Sequence, residues 1–531
     1  MRAARDAVAA CKATLDHISR HLARQKLTDI QPEAFGLARR LAEVAAADAM
    51  IAWAEKEGAF EHGLAEAFAA MTAAELDRWT RFRVEPLGLT EPPLPADVVD
   101  FASSQLATHN LARIGAGIVA RDRDPAGAYG LSDTHRAVQR EFARFSDERI
   151  APVAEHIHEN DALLPEPLLR ALADLGVFGS SIPEEYGGNF YDHLTMIIAT
   201  EELSRGSLGA GGSVITRPEI CAKALLKGGT DAQKAEWLPR IASGERIVSI
   251  AVTEPDAGSD VARVKPTAKK VEGGYVLSGE KTWCTFAGRA DLMCMLARTS
   301  AEGGHKGLTM FLVEKPGTPA AEGDSEERHR SFDHAQPGGG TISGHAIRTV
   351  GYRGMHSFAV AFEDWFVPDE NRIGEEGQGF YLQMEGFSGG RIQTAARAVG
   401  VMEAAFRAAL AYVKDRKVFG QRLADLPLTQ VKLAEMALRI QAGRQLAYAV
   451  GAKMDAGGGQ REASLVKLMS CKDAEWVTRE AMQLHGGMGY SEEYAVSRYW
   501  QDARVLSIFE GAEEVLALLV IARQHFADLG K

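Results

Sequence analysis

Apolar residues in the first 130 positions recur at intervals of three and four, which is the spacing of one face of an α-helix. The clearest run is Val8, Cys11, Leu15, Ile18 and Leu22. A proline-rich stretch at 91–95 interrupts this pattern, and the polar, glycine-containing segment 122–130 is typical of a linker. We therefore expect the N-terminal part of the chain to form a helical extension.

A second helical block starts near Ser132 and continues to about Pro239, after which the pattern changes. Short apolar or alternating runs then lie between Gly, Pro and Asp turns, as expected for β-strands. These runs are 248–252, 274–278, 292–297, 308–313 and 358–362. The segment from Lys315 to Thr341 has no periodicity and is rich in Gly, Pro and charge, so we expect it to be an exposed insertion.

The helical period returns after Pro368, and the glycine run 457–459 is expected to separate two long helices. The pattern as a whole predicts an α+β multidomain chain. Its four expected parts are a helical extension (1–130), a helical domain (131–247), a β domain (248–366) and a C-terminal helical bundle (367–531).

The composition is that of a soluble globular protein: of 531 residues, 46% are apolar and 25% are charged. A net charge of −12 argues against a nucleic-acid-binding surface, because such a surface needs a basic field. The five cysteines are widely spaced and form no CxxC pair, which indicates a reducing compartment. Since no apolar run reaches the length of a membrane helix and no secretory signal is evident, we expect a cytoplasmic protein.

The usual motifs of Rossmann nucleotide binding, P-loops and metal hydrolases are absent from the sequence. His17 and His21 lie four residues apart and could share a metal ion. No acidic or cysteine residue completes a ligand pattern around them, so we expect a solvated helix face and no metal site.

The stretch Ser507–Gly511 places one carboxylate, that of Glu510, inside an apolar run and follows it with glycine. A carboxylate beside apolar groups loses hydration, which raises its proton affinity towards that of a general base. Gly511 allows a backbone or a flat ligand to approach closely. The alternative is a helix-start charge favoured by the helix dipole, which is the expected role of Glu513 and Glu514.

Two further segments combine hydroxyl groups with glycine, and the second adds a large aromatic ring. They are Val252–Asp260 and Gly279–Thr285. A flat polar heterocycle needs such a combination of hydrogen-bonding groups and an aromatic plane. A β-hairpin with turn residues and a core tryptophan would explain the same residues, and spacing alone does not decide between the two.

Five segments resemble, in the right order, the signatures of the acyl-CoA dehydrogenase family. They are Val252–Asp260, Lys281–Thr285, Lys414–Gly420, Gln483–Tyr490 and Ile508–Gly511. The resemblance covers about residues 131 to 531. It implies an N-terminal helical domain, a middle β-barrel or sandwich and a C-terminal four-helix bundle, here with the extra N-terminal helical extension.

The resemblance also implies an FAD cofactor between the β domain and the C-terminal helices. Val252 would lie at the flavin, Thr253 and Thr285 would hydrogen-bond the isoalloxazine, and Trp283 would pack beside it. Ser259 would contact the pantetheine of an acyl-CoA substrate.

Four other matching residues would reach the ADP half of an FAD bound mainly by a neighbouring subunit. They are Arg416, Phe419, Gln483 and Gly487. The resemblance therefore implies a homodimer or homotetramer, and it implies an electron-transferring flavoprotein as the electron acceptor.

Within this family the reaction introduces a Cα–Cβ double bond, which requires a base for the Cα proton and a hydride acceptor for Cβ. Glu510 would be the base, with Gly511 beside the substrate. The proton becomes removable because donors stabilise the developing enolate, in this family a flavin ribityl hydroxyl and the backbone N–H of the base itself. Members that carry the base on the earlier helix have glutamate where this chain has glycine within Phe387–Arg391.

The extension, the insertion before Ile347 and the segment 215–219 resemble most the members that convert (2S)-methylsuccinyl-CoA to mesaconyl-CoA. A carboxylate at the far end of a short acyl chain needs a cationic partner in a closed pocket. Arg217, just before Pro218, is the candidate, although a surface arginine in a loop would explain it equally well.

Other functions remain open at this point. The chain could oxidise another short or branched acyl-CoA, or it could be an acyl-CoA oxidase that uses oxygen. A flavin-bearing relative associated with nucleic acid is a different class, and the acidic composition argues against it.

Overall fold

The computed structural model describes residues 1–317 and 330–530, and the chain divides into two compact units. The helical unit contains Met1–Phe142, His193–Arg205 and the chain from Thr394 onward. The mixed unit contains Ala143–Asp192 and Gly206–Gln393. Each unit is therefore assembled from stretches that are distant in the sequence.

Helices form most of the helical unit and the start of the mixed unit. In chain order they are α1 (Arg2–Leu22), α2 (Gln31–Ala54), α3 (Ala59–Arg81), α4 (Ala96–Gln105), α5 (Thr108–Ala120), α6 (Asp133–Phe145), α7 (Ala151–Asn160), α8 (Glu166–Asp174), α9 (His193–Gly206), α10 (Thr216–Gly228), α11 (Asp231–Ala242), α12 (Gly379–Asp415), α13 (Pro427–Asp455), α14 (Gln460–His485), α15 (Ala495–Leu506), α16 (Glu513–Val515) and α17 (Arg523–Leu529). The glycine run 457–459 separates α13 from α14, as its sequence predicts.

The N-terminal extension packs onto the C-terminal helices within the helical unit. Helices α2 and α5 both contact α13, and α2 also contacts α14. At Gly115 of α5 an added Cβ would lie 2.0 Å from the carbonyl oxygen of Gln430, so only glycine allows this approach of the two helices. The extension therefore shares one core with the C-terminal helices.

The segment 122–130 is more firmly packed than a linker. The side-chain amide of Gln441 donates to the carbonyl of Gly127 at 2.9 Å, and that of Gln445 donates to the carbonyl of Tyr129 at 3.2 Å. Tyr129 is buried, and its ring lies 4.1 Å from the guanidinium carbon of the buried Arg444. The polar composition of this segment serves hydrogen bonds to α13, which the sequence pattern alone does not reveal.

The mixed unit is built around one hydrogen-bonded sheet of nine strands. The strands are β1 (Val248–Ala251), β2 (Thr267–Val271), β3 (Gly274–Thr285), β4 (Leu292–Arg298), β5 (Leu308–Glu314), β6 (Ser331–Ala335), β7 (Thr341–Ile347), β8 (Ser357–Pro368) and β9 (Arg372–Ile373). Their order is β6-β7-β8-β3-β2-β4-β5-β9, and β1 pairs in parallel with β4. A separate two-stranded hairpin, β10 (Lys417–Val418) and β11 (Gln421–Arg422), belongs to the helical unit.

The central strands β4 and β5 are buried on both faces. Most alternate residues of the two strands pack into two different clusters, one within the sheet and one against α10 and α11, while Leu296 and Leu308 join a third. A strand covered on both sides reads as a continuous apolar run, which explains the pattern at 292–297 and 308–313.

The expectation that Lys315–Thr341 forms one exposed insertion is wrong for part of the segment. Ser331–Ala335 is strand β6, which pairs with β7, and Lys315 is buried. In strand β6, exposed polar residues flank the buried Phe332. The strand is therefore only half-buried, and its apolar signal in the sequence is weak. Residues 318–329 of the expected insertion lie outside the described residues.

Candidate active site

Glu510 lies in a short turn between α15 and α16, with backbone φ values of +54° at Glu510 and +97° at Gly511. The left-handed conformation is unusual for a residue with a side chain and marks a functional constraint in many proteins. Glu510 is partly exposed, so the apolar neighbours predicted to dehydrate it do not enclose it in the protein chain alone. Among the described residues, neither its carboxylate nor its backbone N–H has a hydrogen-bond partner.

Buried polar groups fix the backbone of this turn. The ammonium of Lys467 on α14 donates to the carbonyl of Phe509 at 2.8 Å and also to that of Gly511. Ser507 donates to a carboxylate oxygen of Glu475 at 2.5 Å, and the ring of Phe509 lies 5.2 Å from the guanidinium carbon of the buried Arg397. The turn is therefore held on both sides of Glu510.

In the mixed unit, a buried ion pair fixes the loop that carries Thr253. Lys281 on β3 donates to the carboxylate of Glu254 at 2.7 Å and to the carbonyl of Val252 at 3.0 Å. Lys281 is fully buried, and this burial lowers its pKa against the opposing effect of Glu254. The backbone N–H of Thr282 donates to the carbonyl of Thr253 at 2.8 Å. The two segments singled out in the sequence are thereby joined.

Trp283 presents its ring to the outside at a β-bulge next to this loop. The register of β3 against β8 shifts between Lys281 and Cys284, Trp283 has φ +57°, and it is 54% exposed. The alternative of a core tryptophan is therefore wrong, because the bulge turns this residue out of the alternating pattern. Thr285 is partly buried, and its hydroxyl lies 3.1 Å from that of Ser357.

The remaining residues predicted in this region differ in their exposure. Val252 is buried, Thr253 is partly exposed, and Ser259 is exposed on the turn that follows β1. The structure thus places Thr253, Trp283 and Thr285 on adjoining segments.

The residues predicted to contact ADP are exposed at one end of the helical unit. The hairpin β10–β11 turns at Phe419 and Gly420, with φ values of +50° and +82°, and Phe419 is fully exposed. The ring of Tyr412, near the end of α12, stacks on that of His485 at 4.3 Å. This contact brings Arg416 and Phe419 to the C-terminal end of α14, near Gln483 on the helix and Gly487 in the turn that follows it. All four residues are exposed.

Arg217 is a buried helix residue, so the alternative of a surface arginine in a loop is wrong. It lies in the first turn of α10 and is 7% exposed. Its guanidinium donates to the carbonyl of Ser213 at 2.5 Å and to the hydroxyl of Tyr352 at 2.8 Å. No carboxylate lies within 4.0 Å of Arg217 in the part of the chain that the structure describes.

A cavity of about 10 Å³, enough for about one water molecule, adjoins Arg217. Arg246 lines the same cavity and has a buried Nε without a hydrogen-bond partner among the described residues. The other lining residues are apolar. Arg217 is the buried cation at this cavity, whereas Arg246 is partly exposed, and an anion beside Arg217 would offset the cost of burying its charge.

The loop that carries Tyr352 is held by Asp161. Asp161 accepts a hydrogen bond from Arg330 at 2.8 Å and lies 3.1 Å from the Nε2 of His356. Burial opposes ionisation of Asp161, but the hydrogen bonds and charges of His356 and Arg330 outweigh it and lower its pKa to about 2.

Sequence reasoning missed the buried cations Lys281 and Lys467 and the second arginine at the cavity, Arg246. A signal existed for Lys281, because it is in phase with the inward residues Tyr275 and Leu277 of β3. Lys467 shares its stretch of α14 with apolar neighbours, which gave the same type of signal.

The described residues contain neither a metal-ligand cluster nor a membrane-spanning helix. Within residues 1–317 and 330–530, no group of three or more His, Cys, Asp or Glu side chains could hold a metal ion. His17 lies 2.9 Å from the carbonyl of Gly88, and His21 lies 3.1 Å from the amide of Gln25. None of the described helices has the length and apolar character needed to cross a membrane.

Three family models match consecutive parts of the chain. The N-terminal, middle and C-terminal domains of acyl-CoA dehydrogenases match residues 132–245, 249–364 and 377–525. The first 131 residues lie outside these matches.

Two relatives illustrate the similarity in sequence. A (2S)-methylsuccinyl-CoA dehydrogenase from Cereibacter sphaeroides is 43% identical over 75% of this chain and 70% of its own length. A mitochondrial 2-methylacyl-CoA dehydrogenase from Solanum tuberosum is 36% identical over 75% of this chain and 91% of its own length.

Solved structures are similar over the same part of the chain. Butyryl-CoA dehydrogenase from Megasphaera elsdenii has a TM-score of 0.67 and 32% identity, covering 76% of this chain and 99% of its own. A glutaryl-CoA dehydrogenase from Mycobacterium smegmatis in complex with FADH2 has a TM-score of 0.65 and 27% identity, covering 77% and 97%. A structure reported with the electron-transferring flavoprotein of Acidaminococcus fermentans has a TM-score of 0.66 and 30% identity, covering 75% and 98%.

Proposed function

Because the chain belongs to the acyl-CoA dehydrogenase family of FAD-dependent oxidoreductases, we propose that it dehydrogenates a short, branched dicarboxylic acyl-CoA, converting (2S)-methylsuccinyl-CoA to mesaconyl-CoA. The observation that supports a second carboxylate on the substrate is that Arg217 is buried, lies beside Arg246 and has no carboxylate partner among the described residues. The identity of 43% to a relative with this activity agrees with it.

The residues of the mixed unit fit a flat heterocycle such as the isoalloxazine of FAD. Trp283 offers an exposed ring, and Thr253 and Thr285 offer hydroxyl groups on segments fixed by Lys281. Bound FAD supplies the acceptor for the Cβ hydride. The protein's part is to hold the heterocycle in one orientation, since a misplaced acceptor slows hydride transfer steeply.

Glu510 is the proposed base for the Cα proton. Its carboxylate has no partner among the described residues and is therefore available to accept a proton. Its backbone N–H is also unengaged there, so it can donate to the thioester oxygen on which negative charge develops. The fixed turn places both groups on one residue.

The earlier helix carries no carboxylate at the position where some members have their base, since Gly389 and Gly390 occupy this part of the chain. An added Cβ at Gly389 would lie 2.1 Å from a carboxylate oxygen of Glu219 and 2.4 Å from the ammonium of Lys223. A carboxylate side chain at Gly389 would also face the charge of the buried Glu219. This supports Glu510 as the base.

The reaction is tested with purified protein, an artificial electron acceptor and a set of acyl-CoA thioesters. We expect methylsuccinyl-CoA to give a kcat/KM at least about tenfold above those of butyryl-CoA, isovaleryl-CoA and 2-methylbutyryl-CoA. A higher value for a monocarboxylic thioester would overturn the proposed substrate and leave the family reaction intact. If the protein formed peroxide under air as fast as it reduces the artificial acceptor, it would be an oxidase instead.

The role of Arg217 is tested by Arg217→Met. We expect KM for methylsuccinyl-CoA to rise at least about 30-fold, because a buried charge pair is lost, while KM for butyryl-CoA changes less than about threefold. Arg348→Met is the matched control, since Arg348 is exposed in the same unit. Equal effects on both substrates would remove Arg217 from carboxylate recognition.

The proposed partners are a second copy of the chain and an electron-transferring flavoprotein. The fully exposed Phe419, together with Arg416, Gln483 and Gly487, would contact the ADP half of FAD held by another subunit in a dimer or tetramer. An exposed phenylalanine at a tight turn supports such a contact, because burying it is favourable. Light scattering of the FAD-loaded protein measures the number of copies.

A further inference from the structure

We propose that Lys467 is a positioning residue that strengthens the backbone N–H of Glu510 as a donor to the thioester oxygen of the substrate. It would act through the peptide group that joins Phe509 to Glu510. This inference rests on the proposed function and concerns a residue that the mechanism above does not otherwise use.

The geometry places a cation on the reverse side of this peptide group. Lys467 is 1% exposed, and its Nζ donates to the carbonyl of Phe509 at 2.8 Å. That carbonyl and the N–H of Glu510 belong to the same amide. The second acceptor of Lys467 is the carbonyl of Gly511, so the ammonium contacts the backbone on both sides of Glu510.

The conformation of Glu510 depends on such an external contact. Its φ of +54° is unfavourable for a residue with a Cβ, and such conformations persist where surrounding groups hold them. The N–H that results from this conformation has no acceptor among the described residues. A donor held in place without an internal partner is ready for a ligand oxygen.

Polarisation adds to positioning. A cation that donates to an amide carbonyl draws electron density towards the oxygen and makes the N–H of the same amide a stronger donor. As Glu510 removes the Cα proton, the electron pair of the C–H bond moves towards the thioester carbonyl and negative charge develops on its oxygen. A stronger donor stabilises this charge more than the neutral ground state, so the effect falls on kcat more than on KM.

The test compares Lys467→Met with Lys472→Met in the FAD-loaded protein. Lys472 lies on the same helix and is 44% exposed. We expect Lys467→Met to lower kcat roughly 100-fold with KM changed less than about threefold, and Lys472→Met to change neither by more than about twofold.

A second readout does not depend on turnover. Acetoacetyl-CoA has an acidic proton between its two carbonyl groups, and its bound enolate gives a long-wavelength charge-transfer band with oxidised flavin. We expect the pH midpoint of this band to rise by about one unit or more in Lys467→Met, because the enolate loses stabilisation. An unchanged midpoint together with an unchanged kcat would overturn the proposal.

Lys467→Gln separates the two contributions and serves where the Met variant does not fold. Its amide can hold a carbonyl but carries no charge, so we expect a melting temperature near that of the wild type and a midpoint between those of wild type and Lys467→Met. If the pH midpoint of the band in Lys467→Gln equalled that of the wild type, the charge of Lys467 would not polarise the amide. If the wild-type protein itself neither dehydrogenates acyl-CoA nor gives the band, the proposed function fails instead.

Discussion

The two units hold their proposed functional residues by different means. In the helical unit, one buried cation contacts backbone carbonyls around Glu510. In the mixed unit, pairs of oppositely charged side chains hold the loops that carry Thr253 and Tyr352. These pairs are the salt bridges Lys281–Glu254 and Arg330–Asp161. A carbonyl cannot be deleted by substitution, whereas a carboxylate can.

This difference has a measurable consequence. A side-chain pair can be removed as a whole, and loss of both partners costs much less than loss of one, because no buried charge is left behind. Loss of a lysine that donates to backbone carbonyls cannot be offset in this way, because no substitution removes the carbonyls. In the mixed unit, the losses in unfolding free energy of the two single variants should therefore not add up in the double variant. No such non-additivity is expected for variants at the turn of Glu510.

The largest effect is expected at Glu510 itself. Glu510→Gln should lower kcat by about 10³-fold, because the amide cannot accept the Cα proton. The free energy of unfolding should hardly change, since the carboxylate has no partner among the described residues. Steady-state kinetics and urea unfolding measure the two quantities, with Glu514→Gln as the control because Glu514 is exposed in the next helix turn. Turnover within tenfold of the wild type would contradict the assignment.

The next effect concerns the pair in the mixed unit. Lys281→Met should lower the free energy of unfolding by roughly 3–5 kcal/mol, because it leaves the buried Glu254 without its cation. The double variant Lys281→Met with Glu254→Gln should recover at least about half of this loss in urea unfolding. Additive losses in the double variant would show that the pair is not the unit that holds this loop.

Asp161 gives a smaller effect with a defined pH dependence. The pKa of Asp161 is lowered from 3.8 to about 2, so its ionisation contributes about 2 kcal/mol at neutral pH. This stability is fully present well above pH 3.8 and is lost as the pH falls towards 2. Asp161→Asn should therefore be less stable than wild type by about 2 kcal/mol at pH 7 and by about half as much at pH 3. A pH-independent difference in urea unfolding would contradict the cause given for the lowered pKa.

The smallest effect on stability is expected at Phe419 in the helical unit. Phe419→Ser should change the free energy of unfolding by less than about 0.5 kcal/mol, because the side chain is fully exposed. It should nevertheless weaken FAD binding roughly tenfold, as measured by fluorescence titration, if the ring contacts the ADP half. Phe82→Ser is the control, since Phe82 is 82% exposed in the extension. Equal FAD affinity in both variants would exclude that contact.

Sequence patterns predicted the elements whose burial is uniform. The runs at 292–297 and 308–313 became strands buried on both faces, and the periodic stretch after Pro368 became α12. Strand β2, with the sequence Thr-Ala-Lys-Lys-Val, was missed because most of its side chains are exposed. Hydrophobic periodicity reports burial, so it fails where a strand is mostly solvated.

The site could be predicted only as far as residue types permitted. The motif at Glu510 indicated a base, but no local pattern could give its positive φ or the hydrogen bond from Lys467, on another helix, to the neighbouring carbonyl of Phe509. For Arg217 the sequence left a surface loop and a buried site equally open, because its burial depends on Tyr352, 135 residues away. Long-range contacts of this kind are set by the tertiary fold and leave no periodic trace.

The interleaved helical unit also affects how the chain is made. Ser19 on α1 lies 2.9 Å from the Nε2 of His525 on α17, so partners 506 residues apart must meet. At the usual ribosomal speed of about 5–20 residues per second, α1 is synthesised roughly 25 to 100 s before α17 exists. During that interval the side of α2 that packs on α13 and α14 also lacks its final covering, so the growing chain exposes apolar surface that favours aggregation.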